Sequence, residues 1–180
     1  IKGIASRYGI KIRQLKLVYD RNYRRGYTVD KKPLSAIAQV AKDCKTDMFY
    51  RSGQLYICDA SKGFKTGLTI TYETGLLEEP TKSDDEDDLW EVKFLMRPEI
   101  STGAIFKLKS RTESATMIVI SGEHDCSDDD FSTTAECKVL SEYEKSQQSA
   151  VKKAKHSDQK AAKKDAAARK KAKDKRTKRR

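Results

Sequence analysis

Apolar and polar residues alternate along several short stretches in the middle of the chain. The alternation runs through residues 90–96 and 104–110, and a run rich in β-branched residues follows over residues 115–121. A period of two buries one face of a stretch and leaves the other in solvent, which is typical of β-strands. Short strands at this spacing, closed by residues 132–140 after a polar loop at 125–130, predict an antiparallel meander, sandwich or small barrel.

A helix and a hairpin are predicted upstream of these strands. Residues 33–43 begin with Pro33, which suits the first turn of a helix, and they carry an apolar stripe. Apolar stretches flank Ser52 and Gly53, a pair typical of a two-residue hairpin turn. We expect the stripe to pack in the core, and its members are Leu34, Ile37, Val40 and Ala41.

The other upstream segments give shorter elements. Residues 1–9 predict a helix, residues 10–19 a strand or an extended arm, and residues 67–74 another strand. Residues 78–88 are acidic and contain a proline, which favours a loop. Because the chain begins at Ile1 inside a helical pattern, we expect it to be a piece of a longer protein.

Residues 141–180 differ from the rest of the chain. They contain no Gly, Pro or Trp and are rich in Ala, Lys, Gln and Arg, which favour helices. No apolar stripe runs along them, so we expect either a solvated, fraying helix or a disordered tail.

The net charge of +11 comes from the end of the chain. Residues 151–180 hold 15 Lys or Arg against three Asp, a net of +12, whereas the other 150 residues hold 23 basic and 24 acidic groups, a net of −1. Such a polycation either binds polyanions or is a solubilising extension with no specific partner. The candidate polyanion-binding residues are Lys152, Lys153, Lys163, Lys164, Arg169, Lys170, Lys171, Arg176, Arg179 and Arg180.

Motifs of the common enzyme classes do not occur in this sequence. The chain has two histidines, His124 and His156, and contains no nucleophile elbow, phosphate-binding loop, dinucleotide-binding glycine pattern or zinc-protease motif. Four cysteines at spacings of 14, 68 and 11 form no Cys-x-x-Cys pair, so we expect free thiols. We therefore predict no enzyme activity, no cofactor and no metal.

Two weaker patterns for metal ligands surround the polar loop. Four residues match positions 1, 3, 5 and 12 of a calcium-binding loop, but Asp130 stands where that loop needs glycine. Three nearby residues have side chains that can bind zinc, but on a strand these side chains point to alternating faces and do not converge on one ion. We interpret both sets as solvated: Asp125, Ser127, Asp129 and Glu136 for calcium, and Glu123, His124 and Cys126 for zinc.

Aromatic residues lie around the predicted strands among basic residues, a pattern that also occurs where nucleic acid bases stack on a sheet. Because acidic and basic groups balance outside the tail, we interpret these aromatics as core packing. They are Phe49, Tyr50, Tyr56, Phe64 and Tyr72. No run of 18 apolar residues occurs, so no transmembrane helix is predicted.

Four segments, taken in order, resemble the baseplate hub proteins of phage tails. Residues 27–37 and 50–57 are similar to the helix-then-hairpin block of that family. Residues 95–108, LMRPEISTGAIFKL, resemble its L-x-x-P-x-I-x-x-G-x-x-(V/I)-x-(L/V) segment, with Phe106 at the (V/I) position. Residues 119–125, followed by 131–137, resemble its ending. In the third segment we expect Pro98 to end one strand and Gly103 to turn the chain into the next.

The resemblance implies a structural role rather than a catalytic one. It implies the C-terminal part of a hub protein that is a homotrimeric ring at the end of the tail tube, with a further β-barrel upstream. Its partners would be copies of itself, the tail tube and the tail tip or spike, with no membrane. Such a protein would be made in the host cytoplasm and reside in the virion tail.

The sequence as a whole predicts an α+β fold, mostly antiparallel. We expect residues 1–26 to be the end of a preceding domain or a connecting arm, 27–65 a helix plus β-hairpin unit, 66–140 an antiparallel barrel-like domain, and 141–180 a basic tail. Two alternatives to the hub function remain. One is a nucleic-acid-binding module that acts through its basic tail, and the other is a wall hydrolase of the tail tip that uses Asp129 or Glu136.

Overall fold

The computed structural model describes residues 1–23, 26–83 and 88–177, with side chains described up to residue 166 in the last helix. The fold is α+β, with two sheets and a C-terminal helix. It divides into two compact units, Ile1–Lys145 and Ser146–Arg180. Acidic-loop residues 84–87 and the tail residues Arg179 and Arg180 lie outside the described residues.

The first part of the larger unit is a three-stranded sheet with two helices. The strands are ordered β1-β3-β2, with β2 and β3 antiparallel and β1 parallel to β3. The predicted helix and hairpin are confirmed, and the segment 10–19 contains a short strand. The elements are α1 (Lys2–Arg7), β1 (Ile12–Leu15), α2 (Pro33–Asp43), β2 (Asp47–Arg51) and β3 (Gln54–Cys58).

The apolar stripe of α2 is buried except at its beginning. Ile37, Val40 and Ala41 are buried, whereas Leu34 is 38 % exposed, so the prediction that Leu34 packs in the core is wrong. Ala36 is buried as well. At about 100° per residue, Leu34 lies at the edge of the face that these four residues define.

The second part of the larger unit is a six-stranded sheet in the order β4-β7-β8-β9-β6-β5. Neighbouring strands are antiparallel except β4 and β7, which are parallel. The strands are β4 (Phe64–Ile70), β5 (Thr81–Lys82), β6 (Trp90–Leu95), β7 (Ala104–Lys109), β8 (Ser114–Cys126) and β9 (Phe131–Val139).

The large sheet is mostly antiparallel, as predicted, but its β4–β7 pair is parallel. Parallel neighbours need a long crossover, and between β4 and β7 the chain passes through a 3₁₀ turn at Tyr72–Thr74, β5 and β6. The strand predicted at 67–74 begins earlier, at Phe64, and ends at Ile70. Among the described residues the sheet does not close into a barrel, although the chain after β4 forms an isolated bridge from Leu76 to Phe94 of β6.

Residues 96–103 cross the sheet instead of turning into a neighbouring strand. Strands β8 and β9 lie between β6 and β7, so the segment joins two strands that are not neighbours in the sheet. Gly103, with a positive φ, leads directly into β7 as predicted. The N–H of Met96 donates to the Phe131 carbonyl at 3.0 Å, and the N–H of Gly103 donates to the Val119 carbonyl at 2.9 Å. The crossing buries Ile100 in the core of the sheet, which explains why the segment carries an apolar residue.

Two apolar clusters lie on opposite faces of the six-stranded sheet. One is the core of the sheet and includes Phe94, Phe106 and Met117. The other joins the sheet to the hairpin β2–β3, because Ile105 and Ile118 pack with residues of that hairpin. The first turn of α3 (Leu140–Thr177) packs there too, through Leu140 and Tyr143.

The C-terminal segment is a helix, one of the two predicted alternatives, and it runs to the last described residue, Thr177. In the described ranges no helix has the length and apolar character to cross a bilayer.

Candidate functional site

The residues predicted to form turns lie at two separate places. Ser52 and Gly53 join β2 to β3, and their φ angles of 47° and 70° are both positive, as a type I′ hairpin turn requires. Gly103 has a φ of 77° at the end of the crossing, and Pro98 lies in a turn that follows the end of β6. The role of these residues is to shape the backbone.

Gly103 meets the aromatic cluster that joins the hairpin to the large sheet. A Cβ at position 103 would lie 3.0 Å from the Phe49 ring, closer than an ordinary contact. The Phe49 and Tyr56 rings stack with centroids 5.8 Å apart, and Phe64 meets Tyr56 edge-on at 5.3 Å. The Arg51 guanidinium lies 4.3 Å from the centre of the Phe64 ring. Packing was the role predicted for these three aromatic residues, and it is confirmed.

Two other aromatic residues are exposed instead. Tyr50 and Tyr72 are 52 % and 44 % exposed, so the prediction of core packing is wrong for them. Tyr50 follows the buried Phe49 on β2, and successive side chains of a strand point to opposite faces of the sheet. The Tyr72 hydroxyl donates to the Glu79 carboxylate, which also accepts from Thr112, and these hydrogen bonds lower the pKa of Glu79 to about 2.

Asp47 is a partly buried carboxyl group at the start of β2. Its Oδ2 accepts a hydrogen bond from the N–H of Ala60 at 3.1 Å, and its carboxyl also bonds the Tyr143 side chain in the first turn of α3. Burial raises the pKa of Asp47 and the nearby Asp59 raises it further, while the two hydrogen bonds oppose that rise. Asp47 thus ties the hairpin, the turn after it and α3 together.

The metal-ligand patterns do not assemble into a site. Across residues 1–23, 26–83 and 88–166, no three His, Cys, Asp or Glu side chains converge as a metal site would require. Asp125 belongs to β8 and not to a loop, and the Glu136 carboxylate accepts from Ser121. His124 Nδ1 lies 2.8 Å from the Thr133 hydroxyl, and Cys126 Sγ lies 3.2 Å from Met96 Sδ.

A cleft of about 380 Å³ opens beside β1 and the turn after β3. Its polar groups include Lys16 and an ion pair in which Lys62 Nζ lies 3.2 Å from Asp59 Oδ2. The thiol in the cleft, Cys58, has a raised pKa because of burial and the acids Asp47 and Asp59, so it is a poor nucleophile.

The far end of the β8–β9 hairpin carries exposed apolar side chains that the sequence reasoning missed. Phe131 is 62 % exposed, and it pairs with Cys126, whose sulfur contacts Met96. We call these three residues the hairpin-end cluster. The signal in the sequence was an aromatic residue directly after four polar residues, where a loop alone needs none.

The same hairpin leaves one strand edge open. Strand β7 pairs with β8 as far as Ile118, and the last bond on that side is from Gly103 to Val119. Within the described part of the chain, no strand pairs with this edge of β8 between residues 120 and 126. Such an edge offers backbone groups to another strand.

The helix α3 separates its charges by face in the region where side chains are described. Six exposed lysines occupy about half of the circumference at about 100° per residue. The other half holds the partly buried positions, which include Ala154, Asp158 and Asp165. We call the six the lysine face: Lys152, Lys153, Lys155, Lys160, Lys163 and Lys164.

The structure thus places four predicted polyanion-binding residues, Lys152, Lys153, Lys163 and Lys164, on one surface. It adds Lys155 and Lys160, which helical periodicity would also have found. Arg169, Lys170, Lys171 and Arg176 lie in the helix beyond the described side chains.

Comparison with protein-family models and with curated proteins gives no match for this chain.

Proposed function

We propose that this chain is a structural component of a phage tail, a baseplate hub protein that links the tail tube to the tail tip or spike. The observation that carries the proposal is the order of the four resembling segments along one compact unit. They cover the entry to α2, the hairpin β2–β3, the crossing with β7, and the hairpin β8–β9. A chance match to one Pro and Gly spacing would not extend to all four.

The surfaces of the larger unit support an assembly role. A closed ring of identical subunits uses two different patches that complement each other. The open edge of β8 and the hairpin-end cluster form one patch that a neighbouring copy would cover. The two-residue strand β5 ends the sheet on the opposite side and leaves a second edge.

The barrel-like character of the sheet belongs to the same proposal. Strand β4 lies at one edge of the sheet, and β6 lies next to the other edge. The chain after β4 nevertheless reaches β6, where Leu76 forms a bridge with Phe94, so the sheet must curve. We propose that this curvature lets the unit mimic a subunit of the tail tube in the virion. The hub would then be a homotrimer made in the host cytoplasm, with a threefold spike or tip docked below it.

The oligomeric state tests the proposal. The protein expressed from its complete gene should be a trimer by native mass spectrometry, and Phe131→Ser should shift it toward monomer because burial of an aromatic ring stabilises such contacts. Leu34→Ser, which also removes an exposed apolar side chain, is the matched control and should leave the trimer intact. A strictly monomeric protein would refute the hub function, and equal effects of the two variants would exclude the hairpin-end cluster as the contact.

A further inference from the structure

The lysine face belongs to a helix that lacks an apolar side. Opposite the lysines are small, amide and acidic residues such as Gln147, Ala154 and Asp158. A helix that lies on a membrane surface needs a broad apolar face, which this helix does not have. The helix is therefore better suited to bind a polyanion in water than a membrane surface.

The composition of the segment selects among polyanions. After Tyr143 the chain has no Phe, Trp or Tyr, the large aromatic side chains on which successive single-stranded bases stack. Lysine ammonium groups are point charges on long, flexible side chains, which suit phosphate groups better than base edges. The phosphate backbone of a duplex is the ligand that these two properties fit.

The dimensions of the lysine face agree with a duplex. Residues 152–164 span about 20 Å of helix at about 1.5 Å per residue. Duplex DNA carries about one charge per 1.7 Å of its axis, and its major groove, about 12 Å wide, admits an α-helix. Lysines over half of the circumference then face phosphates on both walls of the groove.

We propose that α3 binds duplex nucleic acid through phosphate contacts from the lysine face, without reading the base sequence. The inference goes beyond the proposed hub function and does not depend on it. Residues 1–150, with a net charge of −1, contribute no comparable attraction.

Binding of the full protein to 30-base-pair DNA duplexes, followed by fluorescence anisotropy, tests the proposal. With six phosphates neutralised, the logarithm of affinity should fall with a slope of about −5 against the logarithm of salt concentration. This is a loss of about 10³-fold between 50 and 200 mM. Two duplexes of unrelated sequence should bind within about threefold of each other, because phosphate contacts do not distinguish bases.

The decisive variant changes all six residues of the lysine face to Gln, a good helix former that removes the charge and keeps the length. The salt slope should shrink by about 0.9 for each phosphate that a lysine no longer neutralises. The charge-matched control changes six exposed lysines of the larger unit to Gln and should keep the slope: Lys2, Lys11, Lys31, Lys42, Lys65 and Lys109.

Three results would overturn the proposal. One is an equal drop in affinity in the two variants with six Lys→Gln changes, which would mean that DNA binding depends only on the net charge of the protein. Another is a large preference between the two duplexes, since that requires base contacts. The third is no DNA binding combined with self-association that salt abolishes, because the lysine face would then meet the acidic loops of a second copy. Circular dichroism at 222 nm checks that both variants keep their helix.

Discussion

At the scale of single residues, Asp47 shows how one carboxyl group depends on its surroundings. It lies among the hairpin, the turn after β3 and the first turn of α3, and burial raises its pKa above the ordinary carboxyl value. Relative to the unfolded chain, the fold therefore disfavours ionisation of this side chain. Neither its charge nor its hydrogen bonds could be read from the local sequence, because Ala60 and Tyr143 come from later parts of the chain.

The raised pKa predicts a pH dependence of stability. Well below about pH 4 the carboxyl is protonated in both the folded and unfolded states. As pH rises from there to the raised folded pKa, the unfolded state ionises first, so the free energy of unfolding should fall. Asp47→Asn should remove this component, as measured by urea unfolding followed through Trp90 fluorescence at a series of pH values.

The exposed Asp20 provides the control for this experiment. Asp20→Asn should leave the decline with pH in place. If Asp47→Asn shows the same decline as the unaltered protein, Asp47 ionises in the fold as it does in the unfolded chain.

At the scale of elements, the crossing from β6 to β7 depends on Gly103. Its φ of 77° disfavours other residues, and the Phe49 ring lies where a Cβ would go. Gly67 has a nearly identical φ of 74°, but nothing lies within 4 Å of its Cβ position. Comparing Ala substitutions at Gly103 and Gly67 therefore separates the free-energy cost of a positive φ from the cost of the contact with Phe49.

We expect Gly103→Ala to lower the free energy of unfolding by more than Gly67→Ala. Positive φ alone costs about 1–2 kcal/mol for a residue with a Cβ, and displacing a packed ring adds about 1–3 kcal/mol. Urea unfolding of both variants gives the two values. Equal decreases at the two positions would mean that Phe49 moves away at no cost.

At the scale of the whole molecule, the two compact units differ in what holds them together. The unit Ile1–Lys145 has three apolar clusters, whereas the described part of Ser146–Arg180 contributes no member to any of them. A long helix without a packed face is stabilised by local propensity alone, and mutual repulsion among its lysines weakens it.

Heating should therefore produce two separate changes. Ellipticity at 222 nm should fall gradually as the helix beyond Lys145 frays, before Trp90 fluorescence reports one cooperative transition of the larger unit. Added salt should increase ellipticity at low temperature, since it screens the repulsion among lysines. Coincident transitions at every salt concentration would contradict independent stability of the two units.

Features set by neighbouring residues were predictable from the sequence. The helix α2 begins at Pro33, and the hairpin turn lies at Ser52 and Gly53, because a fixed φ, small turn residues and apolar spacing act over a few positions. The helical C-terminal segment and its concentration of charge follow in the same way from composition. Its lysine face follows from helical periodicity.

Tertiary structure decided the features that depend on distant parts of the chain. The parallel pairing of β4 with β7, the placement of β8 and β9 between β6 and β7, and the contact of Gly103 with Phe49 all join segments far apart in sequence. Alternating apolar and polar residues predict that a strand has a buried face. They do not predict which strand lies beside it, because many pairings bury the same residues. For the same reason only the folded chain reveals that Phe131 stays exposed and that one edge of β8 is left open.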